Sequence, residues 1–293
     1  MLKQETYFKY YKKAMLIPLL LIFLSIIILG NSYIQTGDII KKDISLKGGM
    51  SATITLNQNV DINILEDQLK EELNTPDMRV RKLTELGSDK ATGLIIETDN
   101  IDENDFKISL EKNLDIKLTD ENYSFSITSS ILGDSFYNQM IRAVLLTFIL
   151  MAIVIGISYR TLIPSFAVVF AAFSNMLITL AVLSLSGITI SIAGISALLL
   201  AIGYSVDTDV LLTTRIIKRK EGTIFERLIN ATKTGLTMTI TTLLALTMSY
   251  FVSNSIILKE MFLVLLIGLT IDLTSTYLMN AGILVWYAKR NEN

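Results

Sequence analysis

Hydrophobic positions follow two patterns along this chain. Over residues 15–29, 139–159, 162–184, 188–213, 234–253 and 261–287 they form near-continuous blocks, whereas over residues 34–137 they recur with a period of two or of about four. A helix of roughly 20 apolar residues spans a bilayer, so the blocks predict six membrane helices, the first of them retained and running on through Gly30 and Tyr33. The periodic region predicts short strands and amphipathic helices. Residues 50–56 read as a strand, and Asp61 is placed to cap a helix whose Leu65, Leu69 and Leu73 share one face until Pro76 ends it. Residues 78–84 and 93–98 read as strands joined by a Gly87-Ser88-Asp89 turn. A helix from Asp102 then aligns Phe106, Leu110 and Leu114, and residues 123–128 supply a last strand.

The order β-α-β-β-α-β is that of a ferredoxin-like sandwich, which folds outside a bilayer. The expected fold is therefore a polytopic α-helical membrane protein with six transmembrane helices and an external α+β ferredoxin-like domain between helices 1 and 2. Its parts are an N-terminal segment and first helix (1–33), the external domain (34–137), helices 2 to 6 (138–288) and a short tail (289–293). Composition agrees, with 51% hydrophobic residues in 293 and a mean hydropathy of +0.50.

Charge sets the topology. Residues 34–137 hold 20 Asp and Glu against 11 Lys and Arg, while the flanks are basic. Lys3, Lys9, Lys12 and Lys13 precede the first block, Arg160 separates two others, Arg215, Lys218, Arg219, Lys220, Arg227 and Lys233 form the densest basic loop, and Lys289 and Arg290 close the chain. Cytoplasmic loops carry the excess of Lys and Arg, which puts both termini in the cytoplasm and residues 34–137 outside a cell membrane. With no Cys and no His, disulfides are excluded and zinc and triad chemistries lose their commonest ligand and base. No P-loop pattern occurs, so energy for any work is expected from elsewhere. No catalytic residue, metal or cofactor is expected, and no nucleic acid.

The candidate chemistry is carboxylate chemistry inside the membrane. A charge at the centre of a membrane helix costs about 2.5 to 3.5 kcal/mol on insertion scales, and Asp207, Asp209 and Asp272 all lie in apolar blocks. Asp207 and Asp209 stand about 200° apart around a helix and cannot face one neighbour. Asp207 shares its face with Gly203, where a second helix can approach closely. Both acids could instead sit hydrated near the cytoplasmic end and pair with Arg215 or Lys218. Asp272 is deeper and heads a polar stripe with Gly268, Thr276 and Asn280; it is either an ion-exchanging group or a hydrogen-bonded packing site. Asp207 and Asp272 are the expected coupling pair, with Asp209 the most interfacial of the three. Asn175, Thr234, Thr237 and Thr241 are candidate hydrogen-bond partners, although membrane threonines often bond their own helix. Asn122-Tyr123-Ser124 matches a glycosylation acceptor, a motif short enough to arise by chance.

This order of parts resembles SecF, the family of protein-export membrane subunits that work with SecD beside the SecYEG channel. Ile44-Ser45-Leu46-Lys47-Gly48-Gly49 is similar to the family's D-[LF]-[KT]-G-G signature, with Ser45 where the acid stands. Gly203-Tyr204-Ser205 with Arg215 resembles the fourth-helix signature, and Thr241-Thr242-Leu243-Leu244 the fifth. Val206-Asp207-Thr208-Asp209-Val210-Leu211 looks more like the V-D-x-N-V-L of SecD, a form associated with archaeal SecF. The resemblance implies membership of the resistance/nodulation/division superfamily, one six-helix half of a pseudo-two-fold assembly and a SecD-like six-helix partner. It also implies a SecYEG-type channel, unfolded preprotein substrates, a setting of membrane lipids, and export driven by the proton motive force or another ion gradient. Rival readings are a small-molecule or lipid exporter of the same superfamily and an intramembrane aspartyl protease.

Overall fold

The computed structural model describes residues 2–56, 60–75, 78–84, 91–98, 101–119, 121–128, 130–219, 221–253 and 255–292. Pro76, the Gly87-Ser88-Asp89 turn and Lys220 lie outside the described residues. Two compact units form, one from Lys42–Met140 and the other from Met1–Lys41 with Ile141–Asn293.

The chain opens with α1 (Leu2–Ala14) and α2 (Leu16–Thr36), followed by a single turn, α3 (Ile44–Lys47). In the Lys42–Met140 unit, β1 (Gly49–Thr55), α4 (Ile62–Leu73), β2 (Arg79–Thr84), β3 (Ala91–Thr98), α5 (Glu103–Leu114) and β4 (Tyr123–Thr128) make an antiparallel sheet of order β2-β3-β1-β4 with two helices. Asp61 starts α4 by accepting the amides of Asn63 and Ile64 at 3.0 and 3.5 Å, and Asp102 starts α5 by accepting that of Asn104 at 2.9 Å. Both helices stop at a residue in the left-handed region, Asn74 and Asp115, each with φ 51°. Alternation on the strands sends Ala52, Ile54, Leu94 and Ile96 against Leu65, Leu69, Phe106 and Leu110, all buried. The Gly48-Gly49 pair turns into β1 with φ of 83° and 133°, a conformation side chains rarely adopt. The Asn122 side chain is occupied in its own turn, accepting from the Thr119 amide at 2.7 Å and donating to the Lys117 carbonyl at 2.9 Å.

The second unit is the helical bundle. α6 (Ser130–Tyr159), α7 (Leu162–Leu185), α8 (Ile192–Thr213), α9 (Ile224–Val252), α10 (Ile256–Thr274) and α11 (Ala281–Glu292) follow, with π-helical turns at Thr214–Lys218 and Ser275–Asn280. Among the described residues six stretches are long and apolar enough to cross a membrane: Tyr7–Gln35, Ser135–Tyr159, Leu162–Leu185, Ile192–Lys218, Ile224–Val252 and Ile257–Asn291. Their exposed side chains, such as Phe23 and Ile26 on α2 and Leu145, Ile149 and Ile153 on α6, are those of a lipid-facing surface.

Three expectations change. The basic N-terminal flank is itself helical, as α1. The fifth crossing begins at Ile224 rather than 234, so Arg227 and Lys233 stand on α9 instead of in a loop. A capping box holds that start: the Thr223 hydroxyl accepts the Glu226 amide, and the Glu226 carboxylate accepts the Thr223 amide at 2.9 Å. The fourth crossing continues through its π turn to Lys218, which places the acids of α8 further from its end than the apolar block suggests.

Candidate functional site

α8 and α10 lie side by side and run in the same direction. At their beginnings the Glu260 carboxylate accepts the Ser191 amide at 2.9 Å and the Ser191 hydroxyl at 2.8 Å, and Gly194 leaves the space this carboxylate needs. Further along, Gly268 brings α10 close to Ala201 of α8 and Thr179 of α7. One turn later the two helices meet at Asp272.

Asp272 is 1% exposed and receives donors from three helices. On one oxygen, Oδ1, converge the Ser205 hydroxyl of α8, the Thr276 hydroxyl at 3.2 Å and the Asn175 amide of α7 at 3.4 Å. The Thr208 hydroxyl lies 3.2 Å from Oδ2 and 2.8 Å from the Ser205 carbonyl. Asp209, one turn beyond Ser205, is fully buried. Its Oδ1 accepts the Asn280 amide at 2.7 Å, while its Oδ2, together with Asn280 Oδ1 and Ser275 Oγ, is buried with no hydrogen-bond partner. The two carboxyl groups are held by neighbouring residues of one crossing, Asp272 by Thr276 and Asp209 by Asn280. Among the described residues no lysine or arginine forms an ion pair with either, and no group of three or more acids gathers as a metal site.

The π turn explains how one helix serves both acids. Widening the helix to i→i+5 bonding over Ser275–Asn280 rotates Asn280 away from the line of Asp272 and Thr276, so it meets Asp209 while Thr276 meets Asp272. The site is also deep. Ser205 lies halfway between Ser191 and Arg219, about 21 Å of helix from each at roughly 1.5 Å per residue.

Within this chain it is therefore Asp209, not Asp207, that lies beside Asp272. Asp207 is exposed on the far side of α8, next to Gly203, beside which there is open space; Gly203 packs no helix of this chain, for the same geometric reason. Arg215 donates to the Asn230 carbonyl at 2.9 Å and Lys218 to the Ser158 carbonyl at 3.0 Å, so neither neutralises an acid. Thr234, Thr237 and Thr241 hydrogen-bond carbonyls of their own helix, four residues back, instead of the acids. Asn175, Gly268, Thr276 and Asn280 do join the cluster. Ser205 and Thr208 belong to it, named in the sequence only as parts of motifs and not as site residues. Ser205 stands four residues before Asp209 and three before Thr208, spacings that put it on a shared helical face with each.

Residues 109–290 match the family model described as protein export membrane protein SecD/SecF, C-terminal. The chain is 36% identical to the protein-export membrane protein SecF of Methanolacinia petrolearia, over 95% of this chain and 94% of that protein. It is also 36% identical to the SecF of Methanocaldococcus jannaschii, over 95% and 96%. Its fold is similar to that of SecDF, a translocon-associated membrane protein from Thermus thermophilus, with a TM-score of 0.76 at 18% identity, covering 97% of this chain and 38% of that longer one.

Proposed function

This chain belongs to the SecD/SecF family of protein-export membrane proteins, and on that premise we propose that it is an auxiliary, non-enzymatic subunit of the Sec machinery. It works with a SecD-like six-helix partner and a SecYEG-type channel to move or release unfolded preproteins at the outer face of the membrane. The positive-inside pattern supports cytoplasmic termini and an external Lys42–Met140 unit. The observation that carries the reading is the pair of buried acids, Asp209 and Asp272, which lie inside apolar crossings and have no ion-pair partner among the described residues. Buried ionisable residues of this kind mark ion pathways.

The two environments suit two roles. Asp272 is surrounded by hydroxyl and amide donors, which hold its carboxyl in one orientation. Asp209 offers an unpartnered Oδ2, the atom on which a proton can be carried. Loading and unloading that proton changes the hydrogen bond to Asn280 at the π turn of the sixth crossing, and with it the packing of α8 against α10. Gly203 and Asp207, exposed together on the outer face of α8, are the patch offered to the SecD-like half. The expected result in vesicles holding this subunit, a SecD-like partner and the channel is that Asp209→Asn and Asp272→Asn each remove the gradient-dependent share of preprotein export. Unchanged gradient-dependent export from both variants would overturn the mechanism.

A further inference from the structure

The basic segments of the bundle gather at one end. Phe225, at the start of α9, packs on Tyr7 and Phe8 of α1, and the Lys289 ammonium lies 3.5 Å from the centroid of the Phe8 ring. Arg227, 6% exposed, reaches back from α9 to the carbonyls of Ile216 and Arg219 at 2.8 and 2.9 Å. Between the π-helical end of α8 and the first turns of α9 this arrangement leaves a cavity of about 230 Å³. Its lining carries four cations, Arg215, Arg219, Arg227 and Lys233, against one carboxylate, Glu221.

The lining is strongly biased toward positive charge. Arg215 is held across the cavity by the Asn230 carbonyl at 2.9 Å, and Arg227 forms a wall. Arg215, Arg219 and Lys233 make no ion pair among the described residues. A concave surface with this excess of one sign concentrates anions, and guanidinium groups match phosphate oxygens in geometry as well as charge. The cavity also lies between the end of one candidate crossing, Ile192–Lys218, and the start of the next, Ile224–Val252. Beyond Lys233 the same face of α9 exposes Leu244 and Met248, apolar surface along which an acyl chain can lie.

We propose that this pocket binds the phosphate headgroup of an anionic membrane lipid, at a site separate from the buried acids. Soluble phosphate would meet the same cations; the apolar track beside them selects the lipid.

The test uses the full chain in a neutral detergent, offered equal amounts of phosphatidylglycerol and phosphatidylcholine, with retained lipid counted by native mass spectrometry. Wild type should retain phosphatidylglycerol in at least about tenfold preference, since each basic residue near a membrane surface is worth about fivefold in binding an anionic lipid. Replacing Arg215, Arg219 and Lys233 together by Gln should bring the preference close to one, and Lys117→Gln, an exposed lysine of the other unit, should leave it unchanged. Lys233→Gln alone, at an exposed position, should lower it about fivefold and gives a reading even if the triple variant does not fold. Excess inorganic phosphate should not displace the lipid. No preference in wild type, a preference untouched by Lys233→Gln and the triple variant, or full displacement by inorganic phosphate would each overturn the proposal.

Discussion

The two units of this protein treat their acids in opposite ways. Residues 34–137 hold 20 Asp and Glu, and none of those described is buried there; the buried polar side chains of that unit are hydroxyls, Thr98 and Ser109. Its charges meet at the surface, as in the Lys112–Glu72 pair at 2.7 Å and the Lys70–Glu66 pair at 2.5 Å. Residues 138–288 hold only six acids, yet Asp209 and Asp272 are among the most deeply buried side chains of the bundle, with Asn175 and Asn280 beside them. In the first unit water decides where charge goes, and the core is apolar because burial there stabilises the fold. In the second the exterior is the apolar part, and a charge kept inside costs stability without improving packing. Stability therefore explains the apolar cores of both units but not the two acids buried in the bundle, which are left to function.

The contrast predicts that truncation and neutralisation act differently in the two units. The largest effect is expected from Phe106→Ala, which empties a fully buried ring position and should cost the Lys42–Met140 unit about 3 to 5 kcal/mol. Hydrogen exchange on the full chain should show that loss in α4, α5 and the sheet while the bundle keeps its protection. Next in size, Gly268→Leu should force α10 away from Ala201 and Thr179, because even a Cβ there would stand 3.3 Å from the Ala201 side chain. Overpacking of this kind costs about 1 to 3 kcal/mol, read as a lower midpoint of thermal unfolding in detergent. Asp209→Asn, by contrast, should hold or raise that midpoint, since it removes a buried charge and keeps the size of the side chain.

The smallest effect is a pH dependence confined to the first unit. Hydrogen bonds from Lys112, Asn113 and Ser109 bring the exposed Glu72 carboxyl down from 4.5 to about 2. A depressed carboxylate stabilises the folded form above its unfolded value, so this contribution should be full above pH 4.5 and fade as pH falls toward 2. Glu72→Gln should remove that slope from hydrogen exchange in α4 and α5 and leave the bundle's profile alone.

Where the period of the apolar residues was decisive, the sequence was enough to read the structure. The β-α-β-β-α-β order and the six crossings follow from alternation and block length, and the Asp61 cap and the helix start at Asp102 from residue type. The helical N-terminal flank was not legible, because Leu2–Ala14 mixes lysines with aromatics and has no apolar block. The early start of α9 was hidden in the same way, since Leu228 and Ala231 turn inward between Arg227 and Lys233 on an amphipathic turn. In the candidate site, Asp272 and Asn175 were visible from their depth alone. Choosing between Asp207 and Asp209 was not possible, because two acids two residues apart differ only in which neighbour they meet, and the neighbours that meet this stretch of α8 are 64 to 71 residues away in sequence. No residue pattern announced the π turn that brings Asn280 to Asp209.

The most direct test of the central claim, that Asp209 carries the exchangeable proton, is infrared difference spectroscopy of the reconstituted protein with its partner as pH is stepped across the membrane. The account predicts a protonated-carboxyl band that appears and disappears with pH in wild type, persists in Asp207→Asn and is missing in Asp209→Asn. A band that survives Asp209→Asn and vanishes in Asp207→Asn would contradict it.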